Sequence, residues 1–523
     1  MGDTVPVLAG TVGLALLVWG IAVAWRGRAD AGAALVACVW VTGSLFYLGL
    51  VRPLNRALEG GYEITRPLPF ALAAMVLLTL ALRGNRGWHR PVATVVTCIA
   101  LALVAKPVWL AATFEWEHGP ARQAYDGAAA MAAMPELATA PSPDAPPDIY
   151  HFVFDRYGSE ETLERVFGVT EPVGGFLEAQ GFYVARDSFS NYLSTGHSLA
   201  STFSMDYLTD LADDPRVHGK NWQPIFEVVD DNRLGRFLRD RGYQQHQFGS
   251  WWNGTYHNPN VDANRPLGFS EFEMTYLRRT LLQPIFHLLP DRPLTMRLDW
   301  DNGQCQRVAR QVEEIKAIAR GDGSGADGSG ADGPREGGPV HVFAHILVPH
   351  GPYVFGPDGS CLDRAASEAR GEMRGYAEQV AYDDAIIADL VTTILAPGRP
   401  PAVIVIQADE GPIPQRDMSV PWQDASDADL RVKFGILNAF YFPGGDYSRL
   451  RQDMSSVNTF RAVLGTVFGA DLPDLPDRMY TFPDHTDIYG FVDVTDRVRC
   501  AAPHIPGTDL PGPDRFRHCL GQI

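Results

Sequence analysis

"PAVIVIQADEG", residues 401–411, is the stretch whose reading decides the fold. A short apolar run rich in β-branched residues is bounded by prolines and ends on two adjacent acids, Asp409 and Glu410, before Gly411 and Pro412 turn the chain. Its length and composition fit a strand buried on both faces. "DIYHFVFD", 148–155, and "HVFAHILVPH", 341–350, have the same shape, apolar and then ending at Asp155 or His350. Helix-like stretches lie between them, most plainly "EMRGYAEQVAYDDAIIADLVTTILA", 372–396. Buried strands alternating with helices predict an α/β domain with a mostly parallel central sheet flanked by helices. Ligands of such sheets gather beyond the carboxyl ends of the strands, where Asp155, His350 and Asp409 fall.

The sequence outside this domain has a different solvent. Apolar runs over about 5–25, 31–51, 67–82 and 91–113 approach the ~20 residues needed to cross a bilayer and predict a four-helix transmembrane segment, 1–113. The first run lacks a basic start and three others follow it, so it reads as a span and not as a cleaved signal. Arg26, Arg28, Arg83, Arg86 and Arg90 flank the first and third loops. That bias places those loops in the cytoplasm and the large C-terminal part outside the cell membrane. Residues 114–147 end in "APSPDAPP" and read as a linker, followed by a catalytic domain over 148–523. Within it "GDGSGADGSGADGPREGG", 321–338, reads as a disordered surface insertion.

The net charge of −18 is unevenly spread: residues 1–113 carry nine Lys/Arg against four Asp/Glu, about +5, which leaves about −23 for the rest. A body so acidic excludes nucleic acid as a partner, because phosphate contacts need clustered cations. Of the six cysteines, Cys38 and Cys98 fall in apolar runs; Cys305, Cys361, Cys500 and Cys519 permit two disulfides in an oxidising compartment, pairing 500 with 519 and 305 with 361.

The chemistry-bearing candidates each have a plain structural reading beside the functional one. Asp155 is a turn residue or a metal ligand, since a carboxylate after a buried strand needs solvation, a partner or a cation. Asp409 and Glu410 repel each other unless a cation lies between them. His350 is bracketed by Pro349 and Pro352. His345 lies inside its strand at an odd offset from His350, which places it on the other face of the sheet. Thr195, in "SFSNYLSTGHSLASTFSMDYL", 188–208, is a helix cap or a nucleophile at a helix N-terminus, with Ser194 as its neighbouring hydroxyl. A hydroxyl is a weak nucleophile until a metal lowers its pKa, and oxygen donors around it favour manganese or magnesium over zinc. Trp251 and Trp252 are candidates for a glycan face or for core packing.

The order of Asp155 at a strand end, the 188–208 stretch, "PHGPYVF" at 349–355 and "VIQADEGP" at 405–412 resembles the alkaline phosphatase/sulfatase superfamily. Within it the chain is similar to the membrane-anchored sulfatase-like branch that holds lipoteichoic acid synthases and phosphoethanolamine transferases. "GSWW" at 249–252, "SSVNTFRAVLGTVFG" at 455–469 and "LPDRMY" at 475–480 add to the likeness, which covers about 148–490. The resemblance implies an alkaline-phosphatase-like domain, Thr195 as nucleophile, and Asp155, Thr195, Asp409 and Glu410 as ligands of a divalent metal. His350, Asn191 and Lys433 would contact the substrate anion. Glu410 stands where the family carries a histidine and adds negative charge beside an anionic substrate. "TGHSL" lacks the Pro and Arg of formylglycine sulfatases, so the implied chemistry is phosphoryl-type transfer from a membrane lipid donor to an envelope glycan or lipid acceptor. Two alternatives stand beside it: a sulfatase-like phosphodiesterase on soluble esters, and a catalytically silent envelope-assembly module.

Overall fold

The computed structural model describes residues 4–57, 65–84, 87–289, 300–322, 338–414, 416–483 and 486–499. The chain divides into two compact units: one comprises 1–117 with 268–303, the other 118–267 with 304–523.

The first unit is helical: α1 (Thr4–Arg26), α2 (Ala31–Leu45), α3 (Tyr47–Ala57), α4 (Leu68–Ala81) and α5 (His89–His118). Two of them, α1 and α5, are long and apolar enough to cross a membrane; α2 and α4 are apolar but shorter. Asp30 caps α2, accepting from the Ala33 N–H at 3.0 Å and pairing with Arg26. The unit also takes in two short helices from much later in the chain, Glu271–Leu277 and Leu282–His287. The Leu281 N–H donates to the Ser44 carbonyl at 2.7 Å and Leu48 N–H to that of Arg279 at 3.1 Å, while Leu281 packs with Tyr47, Val51 and Leu68. The sequence reading had assigned this segment to the sheet domain.

The second unit is built on a seven-stranded sheet: β1 (Asp148–Phe154), β2 (Tyr183–Val184), β3 (Gln244–Phe248), β4 (Ala263–Asn264), β5 (Val340–Ile346), β6 (Ala402–Gln407) and β7 (Asn438–Tyr441). Their order is β2-β7-β6-β1-β5-β3-β4, and only the pairings of β7 are antiparallel. The three strands read from sequence lie side by side at the centre, β1 pairing with β5 and with β6 in parallel. Every residue of the three is buried, as their continuous apolar composition requires.

One face of the sheet presents Ile149, Val153, Phe343, Val403 and Val405 to Leu199, Ala200 and Phe203 of the helix Thr195–Ser204. Phe203 meets Phe343 edge to face, with ring centroids 5.1 Å apart. Residues 118–147, read from composition as a spacer, carry short helical turns on which Ala121 and Leu137 are fully buried; the alanine-rich stretch packs because its apolar positions find the sheet unit's core. Cys305 and Cys361 are disulfide-bonded, with Cα atoms 5.8 Å apart. The proposed 500–519 pair and most of the 321–338 insertion lie outside the described residues.

Candidate metal centre and nucleophile

Register places the acids. Val153 of β1 is paired with His345 of β5 on one side and with Gln407 of β6 on the other, so the three share a face. Asp155 lies two residues beyond Val153 and Asp409 two beyond Gln407, which returns both to that face. Asp155, His345 and Asp409 each offer a ligand atom within 4.8 Å of the others, and all three are buried. This corrects the placement of His345 on the far side. The strand ends at Ile346, so the alternation cannot be counted on to His350 in the loop beyond.

Burial makes the cluster electrostatically tense. Asp155 and Asp409 are each 3% exposed and His345 is fully buried. Burial pushes the Asp155 carboxyl up, but His350, the His345 contact and Arg156 outweigh it and hold the group well below the usual carboxylate range. Burial, then repulsion from Asp155 and Glu410, raises Asp409 to about 7, with His345 and the nearby Thr195 hydroxyl opposing the rise. Asp155 Oδ1, Asp409 Oδ2 and His345 Nε2 have no hydrogen-bond partner, although each is shielded from solvent. Orphaned oxygens and a ring nitrogen converging in one small volume fit a cation. The far side of the imidazole is fixed: Nδ1 lies 2.9 Å from the Thr255 hydroxyl, which lies 3.0 Å from that of Ser250. This leaves Nε2 facing the acids, 3.4 Å from Asp155 Oδ2. Trp252 stacks edge to face on His345 at 6.2 Å, which gives that tryptophan a packing role.

Thr195 begins its helix, half-buried, and its hydroxyl lies close enough to the Asp409 carboxyl to hold that group's pKa down. Ser194 is the N-cap residue, but its side chain makes no cap hydrogen bond. The structure therefore brings Asp155, Asp409 and Thr195 together and adds His345.

Glu410 is drawn elsewhere. Its Oε1 accepts from Arg156 Nε at 2.9 Å and lies 2.9 Å from Lys433 Nζ. Lys433 is 2% exposed; burial pulls its pKa below the usual lysine range despite Glu410. Arg156 has a left-handed backbone, φ 69°, unusual for a residue with a Cβ. That turn lets its N–H donate to Asp409 Oδ1 at 3.2 Å while its guanidinium reaches Glu410. Arg156 was missed in the sequence, although it directly follows Asp155. His350 is half-buried, with Nδ1 against the Gly351 carbonyl, and burial lowers its pKa.

Asn191 is not available to a substrate. Its amide donates to Ser455 Oγ at 2.9 Å and the Arg478 carbonyl at 2.7 Å and accepts from Ser456 Oγ and the Val457 N–H, with no exposed surface. It ties the loop before Thr195 to 455–457 and 478, which explains why those motifs accompany it.

No family model and no curated protein matches the chain. Solved structures do match. The C-terminal periplasmic domain of EcEptC from Escherichia coli aligns over 68% of this chain and 94% of its own at 11% identity, with a TM-score of 0.40. The corresponding domain of the phosphoethanolamine transferase EptC from Campylobacter jejuni aligns over 61% and 89% at 10% identity, TM-score 0.36. The integral membrane lipooligosaccharide phosphoethanolamine transferase A from Neisseria meningitidis aligns over 83% and 84% at 14% identity, TM-score 0.36. These structures belong to the group that the motifs resemble. Likeness at this level carries nothing about chemistry, which rests on the residues above.

Proposed function

We propose that the protein is a metal-dependent membrane enzyme that moves a phosphorus-containing headgroup from a lipid donor to an envelope glycan or lipid, using Thr195 as nucleophile. The observation that carries this reading is the buried Asp155–His345–Asp409 cluster, in which one atom of each residue lacks a hydrogen-bond partner, with the Thr195 hydroxyl close enough to Asp409 to lower its pKa. Helices α1, α2, α4 and α5 are the four spans of this reading, with the sheet unit on the outer side of the cell membrane.

Asp155, His345 and Asp409 would hold the ion, with Thr195 beside it. The histidine nitrogen turns the donor set from magnesium toward manganese or zinc. A bound divalent ion supplies Lewis-acid polarisation and changes the local balance, three carboxylates against Arg156 and Lys433, from one negative charge to one positive. Thr195 attacks the phosphorus in line; the Oγ–P bond forms as the bond to the lipid oxygen breaks, and the proton that Thr195 gives up ends on the departing lipid alcohol. The N-terminus of the helix Thr195–Ser204 places the positive end of its dipole beside the nucleophile, where negative charge develops. His350, close enough to Asp155 to depress its pKa and with its own pKa lowered by burial, would relay that proton from the nucleophile to the departing oxygen and take the acceptor's proton in the second half-reaction. Lys433, held on Glu410, is a reserve cation for the substrate anion.

The test is incubation of the full-length protein with a lipid carrying a labelled headgroup. Wild type and Thr195→Ser acquire covalent label, and Thr195→Ala does not and loses turnover by about 10³-fold or more. Unchanged labelling and turnover in Thr195→Ala would sink the proposal. The Glu410 triad favours a second reading, a silent envelope module, because that carboxylate occupies both cations. Failure of wild type to bind manganese or zinc in a titration selects it.

A further inference from the structure

We infer that the segment around Leu282–His287 is an interfacial anchor whose apolar face lies in the lipid surface, so that the membrane is held by a part of the chain far from α1–α5 in sequence. The inference rests on the membrane reading above. The chain leaves the sheet unit after Leu267 and rejoins it at Gln304, and between these points it belongs to the helical unit. One side of the segment is docked: Leu281 is 8% exposed against Tyr47, Val51 and Leu68, and Pro284 is buried. The other side presents Leu282, Ile285 and Leu288, at 40%, 38% and 61% exposure. Spaced three residues apart, they form a single stripe on the helix and its C-terminal turn.

The occupant follows from what this stripe continues. The helical unit against which the segment is docked displays Phe46, Leu50 and Phe70 at 60%, 61% and 71% exposure. Phe46 lies at the end of α2, Leu50 on α3 and Phe70 on α4, beside the Tyr47, Val51 and Leu68 that hold Leu281, so in the membrane reading this apolar surface is solvated by lipid and the stripe adds to it. The run "LLQPIFHLL", 281–289, is nine residues long, about 14 Å as a helix, against the ~30 Å of a hydrocarbon core. It cannot cross and therefore lies along the surface. Arg279, exposed just ahead of the stripe, suits the phosphate groups at that depth.

An environment-sensitive fluorescent amino acid placed at Leu288 of the full-length protein in lipid vesicles tests this. The same probe at Leu103, on the apolar surface of α5, and at Ala365, exposed on the sheet unit, supplies the controls. The expected result is quenching at 288 and 103 by doxyl-labelled lipid, about twofold or more beyond quenching by aqueous iodide, with the reverse at 365. Lipid quenching at 103 but iodide quenching at 288 overturns the anchor and leaves the membrane reading intact. Iodide quenching at 103 overturns the membrane reading itself. Protection of 288 from both quenchers means a protein covers the stripe and overturns the lipid assignment.

Discussion

Glu410 shows how one side chain can be misplaced by analogy and placed by charge. Its neighbour in sequence, Asp409, joins the cluster with Asp155 and His345, yet Glu410 turns to Arg156 and to the buried Lys433, which would otherwise lack a carboxylate partner. Glu410→Gln keeps the shape and removes the charge. The expected loss is about 2–3 kcal/mol in denaturant unfolding, below the ~3–5 of a fully enclosed pair because the Arg156 side chain retains 25% exposure. Adding Lys433→Met should recover part of the loss, and a double variant no better than the single one argues against the triad. At the same scale, Thr255→Val frees His345 Nδ1 without touching a ligand atom. It should weaken manganese or zinc binding about 10-fold or more in calorimetric titration, with the fold retained by circular dichroism.

The strands were legible because their message is composition: three short apolar runs of β-branched and aromatic residues, ending on polar ones, fit buried strands. Register was not legible. Whether Val153 faces His345 or its neighbour depends on pairings between β1 and β5, nearly two hundred residues apart, and His345 was put on the wrong face because alternation was counted past Ile346, where its strand ends. Thr195 was legible as a helix start, whereas its approach to Asp409 depends on how that helix crosses the sheet. Asn191 was read by motif as a substrate contact, and its real partners lie in 455–478. The long helix Arg364–Ile394 holds a further consequence of packing. Tyr157 Oη donates to Asp384 Oδ1 at 2.5 Å, yet burial raises Asp384 from 3.8 to about 7 and the tyrosine only moderates the rise. A carboxyl whose pKa rises on folding must take up a proton to fold wherever the unfolded chain has lost it. Its contribution is thus fully favourable below pH about 4 and fades up to pH about 7, with little change beyond. Asp384→Asn should raise the melting temperature at pH 8, by about 1–3 kcal/mol of stability, and leave it nearly unchanged at pH 4. Equal effects at both values would contradict this.

For the molecule as a whole, the decisive fact is that the division into units does not follow the division of the sequence. Composition separated 1–113 from the rest, and hydropathy windows near twenty residues pass over a nine-residue apolar run. The segment 268–303 therefore stayed with the domain on either side of it. One cut between the apolar helices and the sheet should consequently fail to release the catalytic part. With a protease site engineered near Asp144 in the full-length protein, cleavage should go to completion while the fragment from there to Ile523 stays in the membrane pellet after a high-salt wash. Its appearance in the supernatant would show that 268–303 does not hold it. The Cys305–Cys361 bond acquires a mechanical meaning in this setting. Any tension carried along 268–303 reaches the sheet unit at Gln304 and meets a covalent rivet one residue later. The helix Gln304–Arg320 is thereby spared from being unwound from its loaded end, and the strain is passed across the rivet to a loop 56 residues further along the chain.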